Sequence, residues 1–125
     1  MCELHGGNPV SDWDMTLEDL EPQIPKCLDF LRDNAPMLGK LKGRCKALQE
    51  RKKVILGIEF MEAGHKYTVA ERNALAQASV AYQGICEDIE GAEAEYETLR
   101  VLMNLRELKV EVWRSLNSRA GRGHV

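Results

Sequence analysis

Gly64-His65-Lys66-Tyr67-Thr68-Val69-Ala70-Glu71 lies near the middle of a 125-residue chain and decides its fold. Thr68 and Glu71 have the spacing of a capping box. In that motif a threonine oxygen accepts from a backbone N–H three residues on, while the glutamate accepts from the threonine N–H. A helix is therefore expected to start at about residue 69. Gly64 tolerates positive φ, as the residue just past a helix end demands, so another helix is expected to stop at about residue 63. Only His65, Lys66 and Tyr67 remain for the turn. Two helices joined this briefly fold back on each other as antiparallel neighbours.

Working back from the turn, Leu38, Leu41, Cys45, Leu48 and Ile55 recur at heptad spacing, with Lys52 in the intervening slot. The stripe drifts onto Ile58 and Met61 at its far end. Working forward, a second stripe comprises Leu75, Ala78, Tyr82, Ile85, Ile89, Ala92, Tyr96, Leu99, Leu102, Leu105, Leu108 or Lys109, Val112 and Leu116. A helix over about 69–118 would be roughly 75 Å long. Gly84 and Gly91 weaken it by about 1 kcal/mol each.

Towards the N-terminus, Ile24, Cys27, Leu28 and Leu31 form a further helical stripe, which Asn34-Ala35-Pro36 interrupts. An internal proline costs roughly 3 kcal/mol, so a break or sharp kink is expected there. Thr16-Leu17-Glu18-Asp19 reads as an N-cap with an acidic first turn. Pro22 and Pro25 either end a short helical turn near Glu21 or stand in the first turn of the main helix. Gly6-Gly7-Asn8-Pro9 marks residues 1–15 as a flexible arm.

The expected architecture is all-α: a long antiparallel, coiled-coil-like helical hairpin with a short N-terminal helix and a flexible N-terminal arm. Helices at about 16–34, 37–63 and 69–118 form a single domain, 16–120, with a tail at 121–125. The first long helix is much shorter than the second, so residues 96–118 need a partner. Either segment 16–34 folds back onto them or another copy of the chain does. Self-association, most simply as a two-fold dimer, is expected.

Composition agrees. Aromatics make up 6% of the chain and charged residues 30%, which suits long helices better than sheets. No apolar run approaches 18 residues, so no membrane span is expected. The dispersed Cys2, Cys27, Cys45 and Cys86 read as free thiols in a reducing cytoplasm.

The net charge of −3 conceals strong segregation. Residues 40–53 hold seven bases and one acid, residues 87–97 six acids and no base. With the turn near His65, position i faces about 130 − i, and the two runs partly neutralise each other across the hairpin.

Catalysis is not expected. His5, His65 and His124 lie at an arm, a turn and the penultimate position, none with a nucleophile and an orienting carboxylate. No Cys-x-x-Cys or glycine-rich phosphate loop occurs, so neither metal nor cofactor is expected. Nucleic acid is the weaker partner, given a pI near 5.6 and no aromatic ladder. An acidic helical face also suits mimicry of nucleic acid, although solvated acidic faces are commonplace. Trp113, Arg114, Arg119 and Arg122 are the first candidate contacts, with Trp113 weighed between core and partner. Lys40, Lys42, Arg44 and Lys46 are the reserve.

From Thr68-Val69-Ala70-Glu71-Arg72, through Tyr82 and a glutamate-rich stretch to Leu99-Arg100, the chain resembles a group of short helical bacteriophage proteins. Its closing Glu111-Val112-Trp113-Arg114-Ser115, with Asn117 to Arg119 behind it, is similar to their C-terminal signature. The likeness covers about residues 45–120 and not the acidic, proline-bearing N-terminus. It implies a phage accessory protein in the host cytoplasm, encoded near recombination or replication genes. On that view the chain binds a recombinase, a single-strand binding protein or DNA. Inhibition of a host defence or DNA-processing complex, or scaffolding, are the alternatives.

Overall fold

A computed structural model describes residues 16–123, with the side chains of the last two left aside. The expected arm, 1–15, lies outside these residues. Helix α1 is Leu17–Leu20, followed by a 3-10 turn, Glu21–Gln23. Helix α2 is Ile24–Ala63, α3 is Val69–Ala78 and α4 is Val80–Gly123. No described residue is in a strand. The chain is an all-α helical hairpin.

Both capping boxes form. Thr16 Oγ accepts from the Asp19 N–H at 3.3 Å, and the Asp19 carboxylate accepts from the Thr16 N–H at 3.3 Å. At the hairpin turn the Glu71 N–H donates to Thr68 Oγ at 3.1 Å, and the Thr68 N–H donates to Glu71 at 2.9 Å. Gly64 has φ +88, the left-handed conformation that closes α2.

Two expectations need correction. First, α2 does not break at Pro36 but runs through it. Leu31, Asn34 and Leu38 keep steps of three and four across the proline, and all three are half-buried while Pro36 is exposed. Burying one large apolar side chain contributes about 1.5–3 kcal/mol. Two half-buried leucines together therefore offset much of the cost of one internal proline. Asn34 Nδ2 donates to the Phe30 carbonyl at 2.9 Å, giving this polar seam residue a partner. The Thr16 cap, Pro22 in the 3-10 turn and Pro25 as the second residue of α2 join the N-terminal segment to α2, where a separate helix at 16–34 was expected.

Second, the helix expected over 69–118 is two helices, divided at Ser79, and the second extends to Gly123 instead of ending near 118. Ser79 is extended, φ −66 and ψ 151. Its Oγ donates to the Ala76 carbonyl at 2.7 Å and accepts from the Tyr82 N–H at 3.1 Å, so it terminates α3 and caps α4. Gln83 Nε2 covers a further free carbonyl, that of Gln77, at 2.7 Å. The division has a packing reason. Continued from buried Arg72 and Ala76, an unbroken heptad would pass through Ser79, Gln83, Cys86, Glu90 and Glu93. The extended residue re-phases the helix, so that Ile85, Ile89 and Ala92 are buried instead.

The described residues divide into two compact units, 35–101 and 16–34 with 102–123. In the first, which holds the turn, Lys52 Nζ stands 5.7 Å from the Tyr82 ring centroid. Arg72 Nε donates to the Phe60 carbonyl at 3.2 Å, its guanidinium 4.1 Å from the Phe60 ring. These partners shift the facing rule by two to four residues, to 134 − i and 132 − i. In the second unit the N-terminal segment packs in cis on α4. Ile24, Cys27 and Val110 form a buried cluster with Trp113 against it. Lys109 Nζ donates to Gln23 Oε1 at 3.0 Å, and Arg106 lies 4.3 Å from the Phe30 ring.

Candidate functional site

The basic run separates into two parts. Lys40, Lys42, Arg44 and Lys46 are all exposed, and none takes part in an ion pair among the described residues. Residues four apart share a helix face, so Lys40 with Arg44 and Lys42 with Lys46 form two rows. The rows flank the half-buried seam residues Leu41 and Cys45. A shallow, open depression is lined by Lys42, Cys45, Lys46, Gln49 and Glu50. Further along, the bases are engaged. Lys52 is over Tyr82, Lys53 Nζ meets Glu50 at 2.8 Å, and Arg51 borders a groove with Leu48, Ile55, Ile85 and Asp88. The Lys53 hydrogen bond and charge hold the Glu50 carboxyl below its ordinary pKa.

The acidic run is equally open. Glu87, Asp88, Glu90, Glu93 and Glu95 are exposed and enter no ion pair among the described residues. Glu97 meets Arg100 at 2.9 Å within α4, and that hydrogen bond lowers its pKa. Each of the four ion pairs among the described residues lies within one helix, so none of them joins the basic run to the acidic one.

At the C-terminal end Trp113 is half-buried. Its Nε1 donates to Glu21 Oε2 at 2.9 Å, so its polar companion is Glu21 and not the adjacent Arg114. Arg114 is exposed and borders an open depression with Glu111, Ser115 and Ser118. Arg119 is exposed, and Arg122 falls in the last turn of α4 with its side chain outside the description. The structure thus brings Trp113 into intramolecular packing and leaves Arg114 and Arg119 on the surface.

Along α4 the residues packed on the N-terminal segment include Arg106, Val110 and Trp113, and Met103 is buried on the same side of the helix. The apolar stripe expected to need a partner over 96–118 holds Met103 and Trp113, but also Leu102, Leu105, Leu108 and Val112, which are 38–45% exposed. The two stripes diverge after Leu99, and the outer one is the more apolar by composition. The ring of Phe30, which accommodates Arg106, and the bulk of Trp113 favour the inner one. The paired residues Phe30 and Arg106 were the available signal.

Among the described residues no helix is long and apolar enough to cross a membrane. No family model matches the chain, and neither does any curated protein or solved structure.

Proposed function

We propose that this chain is a non-enzymatic accessory protein of a bacteriophage that binds a protein engaged in phage DNA recombination or replication. The observation that carries the reading is the pair of rows Lys40 with Arg44 and Lys42 with Lys46 on α2, exposed and without ion-pair partners among the described residues. Four charges flanking the seam on its two sides offer a docking surface for an acidic segment of a partner protein. The phage setting rests on the resemblance through Thr68–Arg72 and Glu111–Ser115. Self-association, most simply as a two-fold dimer, belongs to the same reading.

A second reading is supported by the acidic patch. Glu87, Asp88, Glu90, Glu93 and Glu95 are exposed carboxylates without ion-pair partners among the described residues, which suits occupation of a nucleic-acid site on a host defence or DNA-processing complex.

A tagged pull-down from infected and uninfected cells, with and without nuclease, separates these readings. A phage recombination or replication protein captured only after infection, and retained after nuclease, supports the adaptor. One host protein captured equally from both lysates supports the inhibitor and overturns the adaptor. Material lost entirely on nuclease treatment would assign the basic rows to nucleic acid.

A further inference from the structure

Val101, Leu105, Leu108 and Val112 follow one another at steps of four, three and four along the unbroken helix α4, each 39–47% exposed. Leu102, 38% exposed, widens the stripe on one side. It lies apart from the face that packs Val110 and Trp113 against Ile24 and Cys27. A regular three-and-four spacing is what another helix requires in order to seat its side chains between these ones.

We propose that a second copy of this chain covers the stripe, α4 against α4, antiparallel about a two-fold axis between Leu105 and Leu108. This rests on the self-association in the reading above and gives it a face and a register. The stripe is complementary to its own reversal. Leu105 then packs on Leu108 of the partner subunit, and Val101 on Val112 of the partner subunit, giving four layers without a polar residue.

Charge selects the orientation. The heptad position after Val112 and Ser115 is Arg119, exposed and without an ion-pair partner among the described residues. In the antiparallel register it falls on Ala94 of the partner subunit. Glu90, one helical step before Ala94 and without an ion-pair partner among the described residues, flanks it there, whereas Glu97 on the other side already meets Arg100. A parallel pair would set Arg119 against its own copy. The same chain supplies both signs, at the separation its own reversal needs, so the occupant is a second copy.

The test is sedimentation equilibrium of the purified full-length chain over a range of concentrations. A monomer–dimer equilibrium is expected. Leu105→Asp with Leu108→Asp abolishes it while circular dichroism shows helicity retained, since both side chains are already exposed. Arg119→Glu weakens association about tenfold because the two-fold repeats the contact twice. Glu90→Arg does the same, and the two reversals together restore it. A monomer at every concentration would overturn both the self-association and this interface. A dimer indifferent to these variants overturns the interface alone. A chain monomeric when whole but dimeric without residues 1–15 assigns the stripe to that N-terminal segment, which also overturns the proposal.

Discussion

Pro36→Ala should stabilise this protein, and by an amount the structure allows to be worked out. Pro36 stands inside α2, with twelve residues of the helix before it and a longer stretch after. It provides no N–H, so the Arg32 carbonyl lacks its helical donor. The proline ring is exposed, so little packing is lost with it. Proline is about 3 kcal/mol less favourable than alanine in a helix interior, a difference that already includes the freedom of the unfolded chain. A gain of about 2–3 kcal/mol is expected, raising the melting temperature by roughly 10 °C for a chain of this size. Urea unfolding followed by the helical circular dichroism signal measures it as a rise in midpoint at unchanged slope. A gain below about 0.5 kcal/mol, or a loss, would mean that the chain is not helical through this point. The break that the sequence suggests would then be real.

Three further outcomes are expected. Ser79→Ala removes the hydroxyl that caps α4 and bonds the Ala76 carbonyl, and should cost about 1 kcal/mol in the same unfolding assay. Trp113→Ala should cost about 2 kcal/mol, half the usual value for a core tryptophan because Trp113 is half-buried. Arg114→Ala and Arg119→Ala, both exposed, should each stay within about 0.5 kcal/mol. Glu71 should titrate below the ordinary glutamate range by NMR, held down first by the Thr68 N–H and then by the Thr68 hydroxyl. A depressed carboxylate pKa contributes stability above the unfolded value that is lost as pH falls through the folded one. Thr68→Ala should therefore move the titration only part of the way back, and a full return would contradict the ranking of those two bonds.

The turn and both capping motifs were readable because they depend on neighbours: Thr68 with Glu71, Thr16 with Asp19, and Gly64 at positive φ. The continuity of α2 was not. Local propensity at Pro36 argues for a break, whereas the half-burial of Leu31, Asn34 and Leu38 on one face across it is visible only in the structure. Ser79 shows the converse. No glycine or proline marks it, and the need to bury Ile85 and Ile89, sparing Glu90 and Glu93, becomes visible only once the facing helix is in place. For the same reason the sequence does not separate the inner stripe of α4 from the outer one. Leu102, Leu105 and Leu108 are more apolar than Arg106, but only Arg106 has Phe30 opposite. The basic and acidic runs were evident from composition. Their partial neutralisation was expected from the facing rule, and the four ion pairs among the described residues all form within helices.

The central claim is that the chain works by binding a DNA-processing protein through the exposed basic rows on α2. The most direct measurement compares capture from nuclease-treated, infected-cell lysate by the wild type and by a chain carrying Lys40→Glu, Lys42→Glu, Arg44→Glu and Lys46→Glu. All four side chains are exposed, so circular dichroism should report the same helical content. The account predicts that the wild type retains a recombination or replication protein and the reversed chain loses it. Equal capture by both chains, or capture of nucleic acid alone in untreated lysate, would contradict it.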